Sequence, residues 1–478
     1  MIRLSALKGL PGFFRGAHGV ENRGRERLRK VMLTAFASLA SRGSTVLTLL
    51  IAIPLALHRL GAERFGMWMI ISSFTLLLSF TDFGIGNGVM NEVAAAYGTD
   101  DDLRIRRAVT NGRLLLAGIG AALLVALAAS YPFVRWEEVF QVHSPRAIAE
   151  AGPSIAAFVL CLAISLPAGI GSKVQMGLQR GYLLNLTVGL GNLVAFILII
   201  VGLKADWSVP ALVLALFGLP AIAQVINQFI YLYIVHPQYK PDRHLVEWGL
   251  MKALLSAGGT FFFQQFFAVA VGRADALILA QFFGPETAGT YAVVDRAFSL
   301  VAVVSLAFLT PLWPAYREAI HRGDRDWATR TFKRSLILTV GVTGAMSIAI
   351  VAGEHWLFGH WIGRGFQVPF MLILGFAIWK VIEAASAAGA MFLNGAGALR
   401  AATVMAGGTG IAVISLKLIF VKSLGYSSIV WISAASYSLG WLLPLVFIVP
   451  RLLRRFPSDV PARSGDGQCL SGETLAAG

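Results

Sequence analysis

Charge is scarce in this chain and cysteine nearly absent. Only 14% of its 478 residues are Asp, Glu, Lys or Arg, where soluble domains carry ~25%. With 56% hydrophobic residues, an ordinary soluble globular protein is excluded, and so is a disordered one, which would be poor in Leu, Ile, Val and Phe. Two cysteines, Cys161 in an apolar run and Cys469 in a polar tail, exclude a disulfide scaffold. Nearly all of the eight histidines fall in loops or tails. No metal-ligand spacing with cysteine and no Gly-x-Ser-x-Gly motif occurs, so the sequence offers no catalytic set.

What the chain has instead is long apolar runs. A bilayer core takes about 20 apolar residues per helix. Twelve candidate spans can be read, at 31–57, 65–93, 110–131, 152–172, 183–203, 209–234, 251–282, 288–314, 335–353, 367–393, 401–421 and 426–450. The expected fold is an all-α polytopic membrane protein of twelve transmembrane helices. Residues 1–30 lack the compact apolar segment of a cleavable signal, so the first span is expected to act as an uncleaved anchor.

The net charge of +15 needs its position examined. Of the 40 Lys and Arg, 28 fall on the side of the N-terminus, seven in the opposite loops and five within spans. This asymmetry predicts cytoplasmic termini, and it accounts for the basic excess without nucleic acid. The longest opposite loop, near 132–151, has room for no domain.

Two hairpins share the pattern Gly-x-Glu-x-x-Gly-x-aromatic, at Gly61–Trp68 and Gly284–Tyr291, 223 residues apart. Asp102-Leu103-x-x-Arg106 is echoed by Asp326-Trp327-x-x-Arg330, and Met176-x-Leu178-Gln179 by Met391-x-Leu393-Asn394. These echoes predict a duplication: a basic segment 1–30, a six-helix lobe 31–234, a linker 235–250, a second six-helix lobe 251–450 and a tail 451–478. Parallel repeats of this kind are one architecture of secondary transporters, with the substrate between the halves.

Ionisable side chains inside a span are expensive and call for a partner, a cavity or a function. Counting from the hairpin tips puts Arg42 level with Asp82, and Asp275 level with Arg296. Arg273 is then left for Asp295 or an anionic ligand. Lys380 and Glu383 share a helix face, and Lys417 is expected to snorkel outward. These groups either lock helices together or serve a cargo. Arginine at positions 42, 273 and 296 suits phosphate, which the guanidinium fork grips in a bidentate manner. Gly84, Gly86 and Gly88, following Asp82, suggest a gate or hinge, or close helix approach.

Leu60-Gly61-Ala62-Glu63-Arg64-Phe65-Gly66-Met67-Trp68, Asp82-Phe83-Gly84-Ile85-Gly86-Asn87 and the acidic–basic loop from Tyr97 to Arg113 resemble the opening of bacterial polysaccharide exporters. These include the O-antigen flippases of the multidrug/oligosaccharidyl-lipid/polysaccharide (MOP) exporter superfamily. Phe283-Gly284-Pro285-Glu286 with Gly289 and Tyr291 is similar to that family's second-half hairpin. The resemblance implies two lobes around a cavity, a MATE-like fold and location in the bacterial inner membrane. It also implies flipping of an undecaprenyl-diphosphate-linked oligosaccharide between leaflets by alternating access. Ser41-Arg42 resembles the first-helix Ser-Arg of peptidoglycan-precursor flippases, which makes Arg42 the leading diphosphate ligand, with Arg273 and Arg296 beside it.

On this reading Asp82, Asp275 and Asp295, together with Lys380 and Glu383, hold the arginines or take up a coupling ion. No cofactor is implied, and the ion, H+ or Na+, is unassigned. The partners implied are the lipid-linked oligosaccharide, the bilayer, and polysaccharide polymerase and glycosyltransferases. Two alternatives are a drug or cation antiporter of the same fold, which would favour acidic and aromatic cavity residues, and a membrane glycosyltransferase, polymerase or ligase, which would need a larger outer loop.

Overall fold

The computed structural model describes residues 20–74, 80–361 and 368–455, except for the side chains of 20–23, 42–51, 53, 54 and 455. Among the described residues every regular element is helical. Apolar chains in a bilayer must satisfy each backbone N–H and C=O internally, and a helix does so within one segment.

The first helix, α1, runs Val20–Ser73 with a non-helical break at Gly61. It is followed by α2 (Ile85–Gly98), α3 (Asp102–Ser130), the short α4 (Trp136–Phe140), α5 (Pro145–Gly177) and α6 (Gly181–Lys204). Next comes α7 (Val209–Val235), which contains π-helical turns. The rest of the chain forms α8 (Trp248–Phe283), α9 (Pro285–Leu309), α10 (Leu312–His321), α11 (Arg325–Ala352), α12 (Glu354–Trp361), α13 (Phe370–Gly395) and α14 (Leu399–Leu424). The last helix is α15 (Ser428–Arg454). Among the described residues ten helical segments are long and apolar enough to cross a membrane, and they coincide with the third to twelfth expected spans. The first two spans fall on α1 and α2, where residues 75–79 lie outside the described residues.

Three apolar cores organise the bundle. One gathers residues between Ala52 and Leu254, a second those between Ile278 and Ala434. The third joins Val31 to residues between Leu309 and Leu453. Met90, Phe261 and Trp313 form a small separate cluster between the earlier and later parts of the chain.

The sequence echoes have structural counterparts. Gly61 has φ 74°, ψ 169° and Gly284 has φ 87°, ψ 169°, a region open to little but glycine. Asp101 caps α3 by accepting the Arg104 N–H at 2.9 Å, and Asp324 caps α11 by accepting the Trp327 N–H at 3.3 Å. These caps also stand 223 residues apart. The third echo needs a correction of register. The left-handed residues after α5 and α13 are Gln179 (φ 57°) and Gly397 (φ 79°), an offset of 218, so Gln179 corresponds to Gly397 and not to Asn394.

The hairpin glutamates differ. Glu63 Oε2 accepts the Ser144 N–H at 2.9 Å, the Ser144 hydroxyl at 2.7 Å and the His143 N–H at 3.2 Å. These bonds, the Ser144 hydroxyl first, hold the Glu63 carboxyl below the usual carboxylate range. Beside it, buried Arg64 is fixed by Glu150 at 2.9 Å and the Trp207 carbonyl at 2.8 Å. Glu286, the repeat counterpart of Glu63, is exposed.

Candidate functional site

The candidate site is the seam between the earlier and later halves of the chain. Its centre is a break in the helical path at Asp82. The Gly84 N–H donates to Asp82 Oδ1 at 2.9 Å, and Phe83 and Gly84 take left-handed φ values of 46° and 71°. The break brings Gly84 onto α8, where an added Cβ would lie 2.3 Å from the Gly258 carbonyl oxygen. A Cβ on Gly258 would in turn meet the Phe83 carbonyl at 2.9 Å. The halves therefore touch here main chain to main chain. Gly86 seats beside Asp82 and Lys173, and Gly88 faces Leu254 on α8.

Lys173 was not legible as a site residue, because its position reads as a loop. In the structure α5 continues to Gly177 and carries Lys173 inward. Its ammonium donates to Asn87 Oδ1 at 2.7 Å, and it lies with Asp82 around Gly86. Arg42, the expected partner of Asp82, has its side chain outside the described residues.

Asn87 borders a cavity of about 330 Å³ that also meets Gln264, Lys380, Glu383, Asn394 and Tyr437. Polar groups cross the seam at this level. The Trp313 indole N–H donates to Asn91 Oδ1 at 2.7 Å, and the Asn91 amide donates to the Asn394 carbonyl at 3.2 Å. Asn394 also donates to Gln264 Oε1 at 3.2 Å. The Lys380 ammonium lies 2.9 Å from Glu383 and 3.9 Å from Asp295.

The expected pair Asp275–Arg296 does not form. Buried Asp275 is held by the Tyr291 hydroxyl at 2.6 Å and by the Lys417 ammonium. Lys417 is fully buried, so it does not snorkel. Counting residues from a hairpin tip gives depth but not azimuth. At 100° per residue, Arg296 points some 140° away from Tyr291, and Arg273 about 160° from Asp275. Both arginines are accordingly exposed. Arg273 remains near enough to Asp295 for their charges to interact. The structure thus gathers Asp295, Lys380 and Glu383, and separately Asp275 with Lys417, but it does not join Arg273 and Arg296 to either cavity lining.

The basic end of the bundle is closed by a network that sequence reading assigned to loop charges. Helix α10 carries Glu318, 3% exposed, which accepts from Arg27 Nε at 2.5 Å and Gln179 Nε2 at 3.1 Å. It also accepts from Arg322. Arg27 reaches Asp324 at 2.7 Å and lies over the Trp327 ring. Arg322 donates to Asp100 at 2.8 Å and to the Tyr97 carbonyl at 2.8 Å. Glu318 is therefore a shared acceptor for α1, the turn after α5, and α10 itself. The sequence signal is the helical spacing Trp313-x-x-Tyr316-x-Glu318, which straddles the end of the expected span 288–314 and the basic segment that follows it.

A second cavity, of about 790 Å³, runs between α1, α9 and α11. Along α11 it meets Arg330 and Arg334 first, then Leu338 and Val342 one and two turns deeper, with Arg25 and Phe308 on the facing walls.

This geometry has relatives. A multidrug resistance MATE family transporter of the MOP superfamily, solved in an outward-facing conformation, superposes with a TM-score of 0.72, covering 90% of this chain and 97% of that one at 13% identity. A MOP superfamily transporter from Pyrococcus furiosus gives 0.72 with the same coverage at 12% identity. By sequence, a Yersinia pseudotuberculosis protein named for O-antigen export is 20% identical over 428 residues, covering 87% of this chain and 95% of its own. A Salmonella typhi protein named for O-antigen transport is 22% identical over 324 residues, covering 66% and 70%. Residues 31–320 match the family described as polysaccharide biosynthesis protein. The chain belongs to that polysaccharide biosynthesis protein family and carries the fold of the MOP superfamily transporters.

Proposed function

We propose that the protein is a membrane flippase for an undecaprenyl-diphosphate-linked oligosaccharide, an O-antigen or exopolysaccharide repeat unit. It spans the bacterial inner membrane twelve times, as two six-helix lobes divided at the 235–250 linker, with both termini cytoplasmic. The basic end is then the cytoplasmic mouth, and the state described is closed there by Glu318.

The observation that carries this reading is a pair of cavities in the later half of the chain that the earlier half borders, through Asn87 at the smaller and Gly24 to Met32 of α1 at the larger. The smaller sets Asn87, Gln264, Asn394, Lys380 and Glu383 into a wall that is otherwise largely apolar and aromatic, which suits the hydroxyls and ring faces of a sugar headgroup. The larger grades from Arg330 and Arg334 to Leu338 and Val342, the polarity profile of a lipid with an anionic head. Alternating access requires a seam that opens at either end, and the Gly84–Gly258 seat supports a pivot with Gly84, Gly86 and Gly88 at its hinge. Arg42 is the leading diphosphate ligand, and Arg273 and Arg296, which line neither cavity in the arrangement described, reach the diphosphate only as the lobes rock. Asp82, with Lys173 beside it, and Asp295 are the groups available to a coupling ion. Asp275, saturated by Tyr291 and Lys417, is a structural partner in this scheme.

The test is reconstitution into liposomes holding a fluorescent lipid-linked oligosaccharide in the outer leaflet. Protein-dependent loss of its access to an external glycosidase is expected. Liposomes that show no movement across the bilayer, or a covalent product in its place, would overturn the assignment.

A further inference from the structure

Arg317, one residue before the Glu318 hub, has no counterpart to the bonds that satisfy its neighbours. Its Nε is buried without an acceptor, and none of its donors makes a hydrogen bond or ion pair among the described residues. Arg317 as a whole is half-buried, but a guanidinium has five N–H donors, and a buried donor left without an acceptor costs free energy. Such a group needs a reason to be there.

Its surroundings make room for it without neutralising it. Gly397, in the turn between α13 and α14, faces the guanidinium so closely that an added Cβ would fall 2.5 Å from Nη1. Glu92 is the acidic group whose charge reaches Arg317, and Arg104 adds a second cation. Glu92 is already engaged, because Arg104 Nε donates to it at 2.5 Å. His321, one turn after Arg317, senses the same three charges. Arg104 thus holds Glu92, and Arg317 lies within charge range of both, Glu92 and Arg104 from the first half, Arg317 and Gly397 from the second.

We propose that Arg317, with Arg104, is a docking site for a phosphate or diphosphate group at this mouth, half-covered in the arrangement described and fully presented when the Glu318 latch releases. The site deepens the flippase reading and rests on it: an anionic headgroup meets these arginines before it enters the seam. The fork of Arg317 is free to bind two oxygens at once.

The experiment uses the full chain in detergent and three probes: farnesyl diphosphate, inorganic pyrophosphate and farnesol. Glu318→Gln, which loosens the latch, is expected to bind farnesyl diphosphate more tightly than the unaltered chain does. Adding Arg317→Gln should weaken that binding roughly 10-fold, as loss of a charge-assisted bond does, and Arg317→Lys should restore part of it. Arg317→Gln alone should keep or raise the thermal midpoint, because it removes an unpaired cation. Unchanged farnesyl diphosphate binding in the double variant would overturn the site, as would absence of pyrophosphate and farnesyl diphosphate binding in every form. Equal binding of farnesol would overturn it too. Arg317-dependent anion binding by a protein that moves no lipid-linked sugar in liposomes would instead overturn the cargo and leave the site standing.

Discussion

Gly61 and Gly284, 223 residues apart, hold the same backbone conformation, each with positive φ and ψ at 169°. Each ends one long helix and begins the next. Nothing lies within 4 Å of where a Cβ would sit at either position, so the requirement for glycine is one of backbone geometry alone. Gly61→Ala and Gly284→Ala should therefore each destabilise the fold by about 1–3 kcal/mol, the cost of holding a side-chain-bearing residue in this region. Thermal unfolding followed by tryptophan fluorescence measures it. Equal midpoints for both variants and the unaltered chain would contradict the geometry.

Glu318→Gln keeps the shape of the hub but removes the charge that Arg27 and Arg322 share. Breaking one partner of a buried pair costs about 3–5 kcal/mol, and here the loss falls on the closed arrangement. Amide hydrogen exchange should quicken in residues 91–98 and 312–321 and stay unchanged around Arg64 and Glu150, which belong to a separate network.

Asp275 and Lys417 should behave as a unit. Asp275→Asn or Lys417→Met alone leaves a buried charge unpaired and should lower stability by about 3–5 kcal/mol. The double variant should recover much of that loss, and the coupling can be read from a double-mutant cycle. Retained flipping in the double variant would fit a structural pair; abolished flipping with full stability would point to a functional one.

The linker carries an acid-sensitive contact. Burial, and then the Arg180 guanidinium, hold the His236 imidazole down to a pKa of about 4, against the usual value near 6.5. A depressed histidine pKa means the folded state binds the proton less readily than the unfolded chain. Its contribution is therefore intact above pH ~6.5 and is lost as pH falls towards 4. Thermal midpoints recorded from pH 7.5 to 4.5 should fall, and His236→Gln should flatten that fall.

The two cysteines report topology without engineering. Cys161 is buried in α5 and should resist aqueous thiol reagents. Cys469, in the tail, should react with an impermeant maleimide only after the cell membrane is opened. Labelling of intact spheroplasts would reverse the proposed orientation.

Apolar run length made ten of the helical spans legible, because a bilayer fixes the length of its helices. The hairpin duplication was legible through Gly61 and Gly284, whose backbone geometry admits little substitution. Side-chain partners were less so. Asp275 and Arg296 matched in depth, yet helix rotation turned Arg296 outward and gave Asp275 to Lys417, more than a hundred residues on. Glu318 and Lys173 escaped notice because a helix that runs past the membrane boundary has the composition of a loop.

At Gly84 and Gly258 the two halves meet peptide group to peptide group, and only the apolar side chains of Phe83, Phe261 and Phe262 pack around the contact. The contact therefore contains nothing that discriminates one cargo from another. Lys380 and Glu383, which face the neighbouring cavity, take no part in that contact. On the proposed flippase reading, cargo preference can therefore change at the cavity wall while the bearing surface at Gly84 and Gly258 stays as it is.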